Sequence, residues 1–178
     1  MRTNVEQCRA VLDRSGIAFL ALEPTGEGAC ARPDRTRLAD YPFANSTPAT
    51  TCPLAASMEM WLRQSVQPAA ERIFGQNVST IRHLGAYSCR RLYGRGSGPW
   101  SEHATGNAID IAGFTLVDGT EISLLADWDG SPNNTEFLRE IRDGACGLFG
   151  TVLSPDYNAA HRDHFHFDQA DRVWQTCR

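Results

Sequence analysis

The chain has 178 residues, 42% of them hydrophobic and 21% charged, with a formal net charge of -4. That composition suits one globular domain over residues 1–178 with a sizeable core. It offers no basic patch for nucleic acid, and no apolar run is long enough for a membrane span.

In chain order, Asn4 is placed to cap a helix over residues 4–15, which Gly16 stops. Residues 17–22 read as a short buried strand, ended by Glu23-Pro24-Thr25-Gly26. The polar stretch 26–50, rich in Gly, Pro and Arg, reads as irregular. A second helix opens at Thr51-Cys52-Pro53 and runs to Phe74-Gly75, with Pro68 kinking or splitting it. Within residues 77–89, Val78, Ile81, Leu84 and Tyr87 fit a core strand, and residues 94–99 are a loop without the spacing of a phosphate cradle. Strands are predicted over 108–114 and 121–125, joined across Asp118-Gly119, a strong hairpin dipeptide. Thr135 is placed to cap a helix through Arg142 that Gly144 ends, and Phe165 and Phe167 mark a final strand.

Six cysteines, Cys8, Cys30, Cys52, Cys89, Cys146 and Cys177, are dispersed along the chain with no Cys-x-x-Cys pair. This excludes a thiolate zinc ribbon or a thioredoxin-like dithiol and reads as three disulfides, hence an oxidising compartment. The residues alone do not select the pairing. The start of the chain lacks the apolar centre of a signal peptide, so the protein is either cytosolic or has had its leader removed. The cysteines favour export, to the periplasm or the extracellular space.

Four of the five histidines fall in two motifs, Ser101-Glu102-His103-Ala104-Thr105-Gly106-Asn107-Ala108-Ile109-Asp110 and His161-Arg162-Asp163-His164-Phe165-His166-Phe167-Asp168. On a strand, side chains alternate faces, so His164, His166 and Asp168 share one side and Phe165 and Phe167 the other. The same rule sets Asp110 opposite Ile109 and Ile111, with small Ala108 and Ala112 leaving room beside the carboxylate. If the two strands are neighbours, Asp110 and the His-x-His pair enter one space, and His103 reaches it from the preceding loop through a bend at Gly106. Two nitrogens and an oxygen make the open donor set of catalytic zinc; structural sites usually have four ligands, commonly with cysteine. A serine hydrolase built on Ser101 and His103 lacks a nucleophile-elbow sequence. The expected fold is therefore α+β, a small antiparallel sheet bearing a zinc cleft with helices packed around it. Trp100, Trp128 and Tyr157 are candidates to line a groove or to anchor loops, while Asp127 and Asp129 read as a solvated turn.

Ser-x-His-x-x-Gly-x-Ala-x-Asp followed by His-x-x-His-x-His resembles the zinc peptidase group that includes lysostaphin, D-Ala-D-Ala metallopeptidases and the hedgehog signalling domain. More closely, Tyr87-Ser88-Cys89-Arg90, Ser101-Glu102-His103-Ala104, Ala108-Ile109-Asp110-Ile111 and Tyr157-Asn158-Ala159-Ala160-His161 resemble bacterial extensin-like C-terminal domain proteins, over most of the chain. The resemblance implies that His103, Asp110 and His166 bind Zn2+. It also implies that His164 assists catalysis off the metal and that His161 is a further active-site histidine. Arg90 stands near the place of a substrate-binding arginine, displaced from the Gly-Tyr-Arg-Ser element of some relatives, and Asp163 replaces the glutamate of a Glu-x-x-His arrangement. The function implied is hydrolysis of an amide in the stem or cross-bridge peptide of peptidoglycan, with the His-x-His pattern favouring an endopeptidase over a carboxypeptidase. The rivals are a non-catalytic cell-wall binding or scaffolding module on the same fold, and a zinc hydrolase acting at the glycan–peptide junction.

Overall fold

In a computed structural model, which describes residues 4–172 and 175–178, helix α1 (Val5–Arg14) begins as its sequence dictates: Asn4 accepts the Gln7 N–H at 2.9 Å. Gly16, at φ +67°, turns the chain out of the helix. Strand β1 (Phe19–Ala21) is shorter and more exposed than residues 17–22 predict, with Leu20 52% exposed. Among the described residues it pairs only with β2 (Thr36–Leu38), a strand inside the stretch expected to be irregular. Asp34 orders that stretch from the inside. It accepts from the Thr36 hydroxyl at 2.9 Å, from Arg9 at 3.1 Å and from the first N–H of the next helix, Cys52, at 2.5 Å.

Helix α2 (Cys52–Trp61) continues through a wide π turn, Leu62–Val66, into α3 (Gln67–Phe74), which Gly75 ends at φ +70°. The wide turn is how the helix absorbs Pro68, which has no N–H for the carbonyl one turn back and crowds it sterically. Buried Trp61 donates from Nε1 to the Ile141 carbonyl at 2.7 Å, tying this helix to a later one.

The main sheet runs β3-β4-β7-β6-β8, with β5 also on β4. Its strands are β3 (Val78–Gly85), β4 (Ala108–Leu116), β5 (Glu121–Ser123), β6 (Thr151–Leu153), β7 (Phe165–Asp168) and β8 (Thr176–Cys177). The Asp118-Gly119 hairpin forms as expected, Gly119 at φ +89° and Asp118 accepting the Thr120 N–H at 2.8 Å. Leu124 and Leu125 do not extend β5: Ser123 accepts the Ala126 N–H at 3.2 Å and starts a short helix, α4 (Leu124–Asp127). The last strand is β8 rather than β7. It pairs parallel with β6, so the sheet is mixed.

Helix α5 (Pro132–Ala145) starts three residues before Thr135, because Ser131 accepts the Asn134 N–H and Pro132 occupies the first position, where no N–H is needed. Gly144 lies inside it and does not end it, since any side chain there would run into Ser65 of the π turn. Between helices and sheet, Phe167 packs edge-on to Trp61 at 5.0 Å and stacked on Phe149 at 4.6 Å, and Phe165 and Phe167 are fully buried. With both phenylalanines fixed in the core, the other face of β7 is turned away from it.

All six cysteines are paired, as Cys8–Cys52, Cys30–Cys89 and Cys146–Cys177. Among the described residues no helix is long and apolar enough to cross a membrane.

Candidate metal centre

His103 sits on a 3-10 turn, Glu102–Thr105, that Ser101 caps by accepting the His103 N–H at 3.3 Å. Ser88 N–H donates to the His103 carbonyl at 3.0 Å, and Asn107 donates to Glu102 at 2.6 Å, so the turn is held from both sides. Gly106 ends the turn at φ +71°, and a Cβ there would approach the buried Arg32 guanidinium to 2.7 Å. Gly106→Ala should therefore destabilise the protein by about 1–3 kcal/mol and weaken metal uptake, measured by denaturant unfolding and by competition with a chromogenic chelator. An alanine variant of parental stability and affinity would show that the turn tolerates a side chain.

The antiparallel register sets Asp110 of β4 directly opposite His166 of β7. His166 Nδ1 lies 3.0 Å from Asp110 Oδ1, and His103 Nε2 lies 3.2 Å from each of those atoms. The strand neighbourhood expected from the sequence is thus present, and His103, Asp110 and His166 form the triad. His164 stands just before β7, its Nε2 3.8 Å from Asp110 Oδ1. Its Nδ1 donates to Asp163 at 2.9 Å. His161 packs beside it, ring centroids 5.1 Å apart. The Ala160 N–H donates to Asn158 Oδ1 at 3.0 Å, which identifies that atom as the oxygen, so His161 Nδ1, 2.8 Å away, donates to it as well. Both histidines then present Nε2 as an acceptor when neutral.

Asp168, 1% exposed, is the residue sequence reasoning left without a role. Its Oδ2 receives the His166 Nε2–H at 3.1 Å, which fixes the tautomer and directs the Nδ1 lone pair to the triad. Alternation along β7 carried the clue, since Asp168 is two residues beyond His166. The donor set fits a metal ion on this evidence. Three lone pairs converge with edges of 3.0–3.2 Å, against about 3.3–3.4 Å for the edges of a tetrahedron at ordinary Zn–N distances. No cysteine thiolate is available, and three protein donors are one fewer than structural zinc usually has.

Without metal, a proton has to satisfy this convergence. Burial lowers the His166 imidazole, but hydrogen bonds to Asp110 and Asp168 outweigh it and raise it to about 9. Burial likewise raises Asp110, yet hydrogen bonds from His103 and His166 hold it well below the usual carboxylate range. Burial and the neighbouring His164 and His166 lower His161 to about 4. The signs follow by linkage. Raised His166 stabilises the metal-free protein fully below its unfolded value, about 6.5, and loses that contribution as pH rises to about 9. Lowered His161 opposes folding as pH falls from about 6.5 to about 4. Metal-free protein should thus show maximal thermal stability near pH 6–7 as far as these groups set it, and zinc uptake at neutral pH should release a proton. Melting scans across pH and calorimetry in buffers of different ionisation enthalpy test both; a flat profile with no proton release contradicts them.

A cleft of about 390 Å³ opens over the triad, lined also by Arg90, Tyr93, Tyr157 and Arg172. Arg90 faces it, whereas Arg91 stacks on Trp100 at 4.4 Å and donates to the Gly98 carbonyl. Of the three aromatic candidates, Tyr157 lines the cleft. Trp128 is buried in the core and donates to Asp156 at 2.8 Å, and Trp100 anchors the loop before His103. Asp127 and Asp129 hold local structure: Asp127 accepts the Ser123 N–H at 2.8 Å and Asp129 pairs with Arg139 at 3.0 Å.

The fold and the site define a disulfide-bonded α+β domain with an open cluster of two histidines and an aspartate. The chain belongs to the extensin-like protein C-terminus family, whose model matches residues 6–178. No curated protein and no solved structure matches it.

Proposed function

We propose that this protein is an exported, zinc-dependent peptidoglycan peptidase that hydrolyses an amide in the stem or cross-bridge peptide, acting as an endopeptidase. The observation that carries the reading is the convergence of His103 Nε2, Asp110 Oδ1 and His166 Nδ1 beside two further histidines in an open cleft. The peptidoglycan substrate is supported by the resemblance of the two motifs to cell-wall zinc peptidases. Export, to the periplasm or beyond the cell, is supported by the three disulfides.

When bound, zinc supplies a Lewis acid that polarises a carbonyl and acidifies water. The chain's own residues do the rest. Asp163 holds the His164 Nδ1–H, so His164 Nε2 is turned to accept a proton from a nucleophilic water and return it to the leaving amine. Asp163 is therefore the group that orients the base and not the base itself. Asn158 fixes His161 in the same way, which makes neutral His161 an acceptor that orients water or a substrate N–H. Arg90 is a cationic donor lining the cleft and available to a developing oxyanion.

The test is incubation of purified peptidoglycan fragments with zinc-loaded protein, read by mass spectrometry. The expected products together gain one water and expose a new amine within a peptide. Binding of the fragments without any cleavage would replace this reading with the scaffolding module.

A further inference from the structure

The cleft has a wall that the chemistry above does not use. Residues 90–101 form an arm: Ser101 N–H donates to the Arg90 carbonyl at 3.1 Å, Arg91 bridges Trp100, and Leu92 N–H donates to the Pro99 carbonyl at 3.0 Å. At its bend Tyr93 has φ +56° and ψ 23°, and it is the one non-glycine with positive φ among the described residues. A left-handed tyrosine is strained, and strain of this kind persists where something else is gained. Core packing does not compensate it, because Tyr93 is 58% exposed. A glycine would adopt the conformation freely, as neighbouring Gly94 does at φ +66°.

What the strained residue gains is a position at the cleft. Tyr93 and Tyr157, on separate segments of the chain, both line the cavity. The Tyr157 ring meets His161 at 5.4 Å, and His161 meets the ligand His166 at 6.1 Å, so Tyr157 is two ring contacts from the triad. Glu102 is occupied by Asn107, Asp110 by the triad, and Asp168 by His166 and the Ala170 N–H. Among the described residues Arg172, its side chain 47% exposed, makes a long 3.7 Å contact to Asp168. The two phenolic hydroxyls and the Arg172 guanidinium line the same cavity and together make a donor set suited to a carboxylate.

We propose that Tyr93, Tyr157 and Arg172 form a substrate subsite that binds a carboxylate carried by the peptide, with Tyr93 as its specificity-determining residue. The assignment rests on the peptidase reading for the identity of the peptide. The carboxylate belongs either to an acidic side chain or to the chain end, and the experiment separates the two.

Synthetic stem peptides are prepared as free acids and with either the side-chain or the terminal carboxylate converted to the amide. Each is given to the parent, Tyr93→Gly and Arg172→Gln, with zinc content and melting temperature measured on the same samples. The parent should lose about tenfold or more in kcat/KM, through KM, when the recognised carboxylate is amidated. Whichever amide costs that factor names the source. Arg172→Gln should cleave acid and amide alike. Tyr93→Gly should raise KM with kcat and zinc retained and with no fall in melting temperature, whereas a merely structural tyrosine would lower the melting temperature and leave KM unchanged. A parent indifferent to amidation, or variants that keep its preference, overturns the subsite. If the parent cleaves none of the peptides, the peptidase reading fails separately. Calorimetric binding of the same peptides then decides the subsite: carboxylate-dependent binding lost in Arg172→Gln upholds it, and no such binding overturns it.

Discussion

Replacing His164 with alanine should leave the zinc in place and lower turnover of peptidoglycan peptides by a factor on the order of 10²–10⁴. The distances separate its role from that of its neighbour. His166 Nδ1 is 3.0 Å from Asp110 Oδ1, while His164 Nε2 is 3.8 Å from the same atom and its ring is held from the other side by Asp163. Removing His164 deletes the group turned to move a proton and leaves the three donors intact. His166→Ala removes one donor and leaves Asp168 Oδ2 without the imidazole N–H it accepts, so zinc and activity should disappear together. Metal content and cleavage rate are to be measured on the same preparations. A His164→Ala protein that sheds its zinc makes His164 a ligand, and one that cleaves at the parental rate removes it from the mechanism.

Reduction of the disulfides should unfold the protein near physiological temperature. The bridges close loops with sequence separations of 44, 59 and 31 residues, and the chain-entropy model assigns about 4 kcal/mol to each. Together they rival the whole stability of an ordinary domain, about 5–15 kcal/mol. Cys8–Cys52 joins α1 to the start of α2, and Cys146–Cys177 joins the end of α5 to β8, a two-residue edge strand paired with β6. Cys30–Cys89 lies beside Ser88, whose N–H supports the His103 turn. Calorimetric melting with and without reductant should show a large drop, with zinc released as the turn loosens. A reduced protein melting within a few degrees of the oxidised one would contradict this.

The candidate metal triad was legible because strand alternation and two short motifs fix the directions of side chains before any fold is known. Phe165 and Phe167 demand the core, so His166 must face away from it, and the same logic turns Asp110 outward between Ile109 and Ile111. Alternation also placed His164 with His166 and could not rank them. Only the register, with Asp110 opposite His166, makes one a donor of the triad and sets the other at its edge. The tautomer of His166 was likewise unreadable, since it depends on Asp168 meeting Nε2 in three dimensions. Strands β2, β6 and β8 have three residues or two and are too short to display a period. The start of α5 was misread because Thr135 and Ser131 are both competent caps, and Pro132 decides for the earlier one. Gly144 looked like a helix stop, but its small size answers to Ser65, far away in sequence.

The most direct measurement of the central claim is a chelator titration in which bound zinc and cleavage of peptidoglycan peptides are followed in one sample. The account predicts that one zinc per chain and all cleavage are lost in parallel and that both return when zinc is restored. Cleavage that persists in zinc-free protein, or a reconstituted protein that holds zinc and cleaves nothing, would contradict it.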